Sequence, residues 1–207
     1  MFSKRDAFAR GWDLFRRNAG LLIGVHFFVL LLHIPQATTE WFFPGSQVTK
    51  GLIVFATVIL SYVTSIGLIC IALTLVDGGS FVFSDLFARP HLVFKYLLGS
   101  ILYGLIVTAG LILLIVPGVI WGAQFGLWGF YVVEYEMGPI EALKASSKAT
   151  RGTRAALVGF FGICLGLYIA GAIPLLLGWV LVWPVTSLAM AHIYRILDSE
   201  AAAAASA

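Results

Sequence analysis

Four polar side chains interrupt the long apolar stretches of this chain, and chemistry inside them would have to use His26, His33, Gln124 or His192. His26 and His33 are seven residues apart, so on one helix they share a face that could relay a proton or hold a metal ion. The same positions lie in the outer half of the first predicted span, where an imidazole also meets headgroups or water. Gln124 is suited to tie one helix to another by hydrogen bonds. Glu134 and Glu136 bracket Tyr135, and paired carboxylates can divide acid and base work. Positions two apart on a helix point away from each other, which favours a solvated helix end instead.

The remaining chemistry is sparse. No Asp, Glu, Lys or Arg falls within the cores of the predicted spans, although proton and ion pathways usually require one. There is no His-Glu-x-x-His, no Gly-x-Ser-x-Gly and no Gly-x-x-x-x-Gly-Lys, so no catalytic residue, metal ligand or cofactor is expected. Cys70 and Cys164 both sit in apolar blocks, where small thiols pack between helices rather than form a disulfide framework.

The elements around these residues are apolar helices. Of 207 residues, 60% are hydrophobic and 11% charged, with a mean hydropathy of +0.99, which excludes water as the main solvent. Charge-free blocks predict spans at about residues 19–34, 51–76, 96–116, 117–135, 155–173 and 175–194, within one transmembrane domain over residues 1–200. Residues 201–207 form an Ala-rich tail expected to fray. Pro117-Gly118 and Pro174 separate neighbouring spans as tight hairpins, unless Pro174 merely kinks one long helix. The expected class is all-α: a polytopic protein of six transmembrane helices plus about three cytoplasmic interfacial amphipathic helices.

Lys and Arg give the direction, because cationic loops resist transfer across a membrane. Six spans place 12 of the 13 basic residues on one side and leave Lys50 alone on the other. Both termini are therefore expected in the cytoplasm, with the chain in a bacterial inner membrane. A cleaved signal peptide is disfavoured by the long basic leader and by the poor cleavage site His33-Ile34-Pro35-Gln36. The net charge of +3 is spread over short segments between apolar blocks, which suits anionic lipid headgroups and not nucleic acid.

Three of those segments read as elbows. In the N-terminal segment Phe8, Trp12, Phe15 and Ala19 recur at helical spacing, which makes residues 3–17 an interfacial amphipathic helix that ends on Arg16 and Arg17. Asp85-Leu86-Phe87-Ala88-Arg89 echoes Asp6-Ala7-Phe8-Ala9-Arg10, with Lys95 in the place of Arg16. After Pro139, Glu141, Lys144, Lys148 and Arg151 form one charged stripe, followed by Arg154. Such elbows anchor a bundle; the sharper expectation is a ring that docks a headgroup or a partner, with Arg151 and Arg154 as phosphate ligands. Gly118, Gly122 and Gly126, and again Gly162 and Gly166, are spaced for internal helix packing, with a homo-oligomer contact or substrate groove as the alternatives. Trp41, Phe42 and Phe43 form an aromatic anchor, and Pro44-Gly45 turns the chain back.

The run from Pro117-Gly118 through Glu134 to Gly138-Pro139-Ile140-Glu141-Ala142-Leu143-Lys144, with Ser147 and Arg151-Gly152, resembles one bacterial family. It is similar to the membrane domain attached to some glycerophosphoryl diester phosphodiesterases and to its stand-alone relatives. The resemblance covers roughly residues 80–160, and Lys148 stands where an aromatic residue commonly follows the Ser. It implies a six-span module without phosphodiester chemistry, which in those enzymes belongs to a separate soluble domain. The functional expectation is a non-enzymatic module that organises lipid or a protein partner at the cytoplasmic leaflet. The alternative is a transporter or exporter component for an apolar or amphipathic small molecule.

Overall fold

The computed structural model describes residues 2–42, 45–172 and 177–206, and every regular element among them is helical. Helix α1 is Lys4–Arg17, capped by the Ser3 hydroxyl, which accepts from the Asp6 N–H at 3.4 Å. Asp6 in its first turn and Arg16 and Arg17 in its last complement the helix dipole. At Asn18 the chain bends by 95° into α2, Ala19–Leu31. Its 13 residues reach only about 20 Å, short of a hydrocarbon core of about 30 Å. A turn at Leu32 and His33 leads to α3, Ile34–Phe42.

Helix α4 is Gln47–Val76, started by a Ser46 cap, and is followed by two 3-10 turns, Phe83–Phe87 and Pro90–Leu92. Then come α5, Val93–Leu113; α6, Ile115–Phe125; α7, Trp128–Tyr135; α8, Pro139–Ala149; α9, Arg154–Ala172; and α10, Leu177–Ser206. Five stretches are long and apolar enough to cross a membrane: α4, residues 83–113, α6 with α7, α9 and most of α10. A sixth arises only if the bent pair of α1 and α2 is counted as one. The chain is an all-helical, multi-span membrane protein.

Several boundaries differ from the expected ones. The turn between the third and fourth stretches is Leu114, three residues before Pro117, which lies in the first turn of α6 where its missing N–H leaves no helical bond unmade. Leu114 is extended and donates its N–H to the Gly110 carbonyl at 3.0 Å. Gly110 and Gly118 then meet backbone to backbone. The Ala-rich tail is helical through Ser206 as the end of α10, in line with alanine's helix propensity. The choice between hairpin and kink at Pro174 lies outside the described residues, as do Phe43 and Pro44 of the aromatic anchor.

Two elbows also change character. The buried face of α1 is Ala7, Gly11, Leu14 and Phe15, while Trp12 stays outside at 48% exposure. That face packs along α10 rather than on lipid, so closely that a Cβ on Gly11 would stand 2.7 Å from the Val185 carbonyl oxygen. The middle elbow is not an amphipathic α-helix. It is the pair of 3-10 turns, folded back onto α4 so that a Cβ on Gly67 would meet the Leu86 carbonyl oxygen at 2.0 Å.

Packing is concentrated at the end of the bundle that carries Asp77, Glu134 and Arg195. Ile66, Ile71, Leu75, Leu86, Leu127, Leu157 and Tyr194 are fully enclosed there. Leu52, Phe55 and Val58 on the first half of α4, and Ile163, Leu165 and Ile169 on α9, face outward. Hydrocarbon solvates such side chains as well as protein does, so nothing drives them inward. The hairpin of α5 and α6 has a further feature. If both arms ran the length of the bundle, the start of α6 would lie at the far end of α9, about 28 Å from Arg154. Instead Ile115, Val116, Val119 and Ile120 line one cavity with Arg154 and Val158, so the hairpin folds across the start of α9.

Candidate functional site

The charged end is built around Arg195, near the end of the buried part of α10. Its guanidinium grips Asp77 at the end of α4 with two bonds, at 2.9 and 2.5 Å, and also bonds Glu134 near the end of α7. Such planar, two-pronged pairing is what guanidinium offers and ammonium does not. Glu134 also accepts from the Tyr194 hydroxyl at 2.6 Å, and Tyr135 donates to Asp198 at 2.7 Å. Phe130 stacks on the Tyr194 ring with centroids 4.8 Å apart. Helices α4, α7 and α10 are thus locked together by one cation.

This hub forms one side of a cavity of about 390 Å³ whose other polar walls are Thr74, Asp85 and Arg89. Its charges are already committed. Asp85 accepts from the Val82 N–H at 2.9 Å, and Arg89 donates to the Val133 carbonyl. Lys95 donates to the Glu136 carbonyl at 2.6 Å, while the Glu136 carboxylate lies 3.2 Å from His91. Glu136 is left-handed at φ 51, and these two contacts hold it in that costly conformation. Among the described residues no three His, Cys, Asp or Glu side chains converge as metal ligands.

The second part of the site is α8, which reverses on α7 and enters the bundle. Ala142, Leu143, Ser146, Ala149 and Thr150 are buried. Between α6 and α7 the helix breaks at Gly126 and Leu127, freeing backbone groups that must find partners away from water. α8 supplies them: the Ser146 hydroxyl accepts from the Leu127 N–H at 3.2 Å, and Ser146 and Thr150 each donate to the Gln124 carbonyl at 3.0 Å. The Gln124 amide donates to the Ser147 hydroxyl at 2.8 Å, which is the helix tie expected of it. With its inner face pinned, α8 presents Glu141, Lys144 and Lys148 outward, and Arg151 continues the exposed stripe. Glu141 also caps the helix by accepting from the Gly138 N–H at 3.1 Å.

The other expected positions scatter. Arg16 and Arg17 are exposed, Arg17 pairing with Asp13 at 3.0 Å. Arg89 and Lys95, candidate lipid or partner contacts, are half-buried and bond the Val133 and Glu136 carbonyls. Arg154 is half-buried, with its Nε enclosed and unpartnered. His26 and His33 do not share a face, because α2 ends at Leu31 and His33 is an exposed turn residue. His26 is buried, with Nδ1 2.9 Å from the Leu22 carbonyl and its ring edge-on to Trp183. Glu134 is a bound hub residue rather than a solvated helix end. Gly162 and Gly166 are exposed, with no atom within 4 Å of an added Cβ, so they serve no internal packing; Gly118 and Gly126 do have close neighbours.

Arg195, Asp77, Tyr194, Ser146 and Thr150 carry the arrangement and are absent from the sequence expectation as site residues. Arg195 is readable only as one more cation near a helix end; its partners are 61 and 118 residues away. Comparison with protein-family models, with curated proteins and with solved structures finds no match to this chain.

Proposed function

We propose that this chain is a non-enzymatic membrane module whose charged end faces the cytoplasm and organises anionic lipid or a protein partner there. The observation that carries the reading is α8: one face is buried and hydrogen-bonded to the break between α6 and α7, while the other holds Lys144 and Lys148 outward with Arg151 beyond. A basic stripe on a rigid support loses little entropy when it engages phosphate groups. The paired state of Asp77, Glu134 and Arg195 suits a structural latch more than a reaction centre. The resemblance of residues 80–160 to the phosphodiesterase-attached membrane domain agrees with this reading, since in those enzymes the phosphodiester chemistry belongs to a separate soluble domain and not to the membrane module.

The test is the triple variant Lys144→Gln, Lys148→Gln, Arg151→Gln, extracted in lipid nanodiscs containing phosphatidylglycerol and analysed by native mass spectrometry. Loss of retained anionic lipid or of a co-purifying protein is expected. Retention equal to wild type removes the proposal. The transporter alternative draws on an open apolar cleft of about 570 Å³ between α5 and α6, beside Gln124. Thiol labelling at cysteines introduced along Leu105, Ala109 and Trp121 would favour it if the label enters from water.

A further inference from the structure

The cleft that the α5 and α6 hairpin makes with α9 is separate from the exposed stripe of α8. Its volume is about 620 Å³, within the range of about 300–1,000 Å³ that small-molecule sites occupy. One wall is Ile115, Val116, Val119 and Ile120, the other is Val158 with the adjoining Ala155, and among the described residues the one charged side chain lining it is Arg154. Arg154 forms no ion pair among the described residues, and its Nε is enclosed without a hydrogen-bond partner. It is also the first residue of the 19-residue α9, so the free N–H groups and positive dipole end of that helix lie beside it. An apolar slot lined by one guanidinium without an ion-pair partner among the described residues calls for a ligand that is anionic at one end and hydrocarbon at the other.

We propose that this cleft is a phospholipid site: the phosphate of a glycerophospholipid sits on Arg154 and one acyl chain lies between the start of α6 and Val158. A headgroup phosphate on the guanidinium neutralises a cation next to hydrocarbon. The acyl chain covers the aliphatic side chains that the turn at Leu114 brings beside α9. The hairpin is the receptor wall, which explains why its tip is free of polar residues. This deepens, and rests on, the reading of the charged end as a lipid-organising face, by adding one defined, high-occupancy lipid to the diffuse contacts of the stripe.

The experiment is native mass spectrometry of the full chain released from nanodiscs of mixed phosphatidylglycerol and phosphatidylcholine. Wild type is expected to keep one phosphatidylglycerol under activation that strips the rest. Arg154→Gln should lower that retained fraction about tenfold, the effect of losing one charge-assisted contact. Val119→Trp, which fills the slot without touching charge, should lower it as well. Both variants are checked for an unchanged melting temperature, and a variant that fails the check is replaced by Arg154→Met or Ile120→Trp. In the Lys144→Gln, Lys148→Gln variant the tightly held lipid should persist while looser lipid is lost. If Arg154→Gln keeps the lipid and the stripe variant loses it, the cleft is overturned and the stripe reading stands. If Arg154→Gln loses the lipid and Val119→Trp does not, or if millimolar inorganic phosphate displaces it, the acyl-chain slot is overturned.

Discussion

The hub at Arg195 makes an asymmetric prediction. Exposed ion pairs contribute about 0–1 kcal/mol, whereas removing one partner from a fully buried pair costs about 3–5 kcal/mol. With side-chain exposures of 27% for Arg195 and 22% for Glu134, the bridge between them falls between those limits. Arg195→Gln strands both carboxylates and should cost about 2 kcal/mol, or about 4–8 °C in melting temperature for a chain of this size. Glu134→Gln should cost only about 1 kcal/mol, because Arg195 keeps both bonds to Asp77, half of whose side chain is in solvent. The double variant should melt close to Arg195→Gln alone, since the coupling has already gone. Thermal unfolding in detergent, followed by tryptophan fluorescence, reads all three. Equal losses from the two single variants, or simple addition in the double, would refute the assignment of Arg195 as the shared partner.

Gly67 and the pair Gly162 and Gly166 should behave in opposite ways. Gly67→Ala places a methyl group on the Leu86 carbonyl and should cost at least about 1–3 kcal/mol, visible as a lower melting temperature and loss of the monodisperse peak. Gly162→Ala with Gly166→Ala meets open space and should melt no lower than wild type; a drop there would show that these residues do pack against something. Ser146→Ala leaves the buried Leu127 N–H without an acceptor and should cost about 1–3 kcal/mol, detectable as faster amide exchange around residues 124–130. Ser147→Ala removes only the tie to the Gln124 side chain and should be milder, so the reverse order would count against the role given to α8.

Helix identity and membrane class are legible in the sequence because they depend on local properties: long apolar runs, and Pro139 opening α8. What stays hidden depends on which helix meets which. Hydropathy picks Phe8, Trp12 and Phe15 as the apolar face of α1; Phe15 is buried and Phe8 stacks on Phe160, but Trp12 stays outside while the small Ala7 and Gly11 turn toward α10. Between helices in hydrocarbon the gain comes from close backbone approach and not from burying the largest ring. The same physics leaves Gly162 and Gly166 unpacked, because spacing alone does not supply a partner. Ser146 and Thr150 read as unremarkable polar residues of an amphipathic helix until the break at Leu127, about 20 residues earlier in the chain, is seen to need them.

The charge asymmetry on either side of the α5 and α6 hairpin survives the way that hairpin folds. With the turn at Leu114 beside the start of α9, the α5 and α6 hairpin need not reach the opposite surface. Whether it crosses twice or turns back within the bilayer, the segments on either side of it, with Arg89 and Lys95 before and Lys144 to Arg154 after, emerge on the same face. The count of basic residues is blind to a hairpin that adds either two crossings or none, so the proposed cytoplasmic orientation of the charged end does not depend on the answer. The exposed tip does discriminate. Ile112 at 80%, Leu114 at 70% and Ile115 at 74% exposure form a turn without a single polar side chain, which is costly in water and neutral in hydrocarbon. A turn of that composition belongs inside the bilayer, where it can serve as the wall of a lipid cleft and not as a loop.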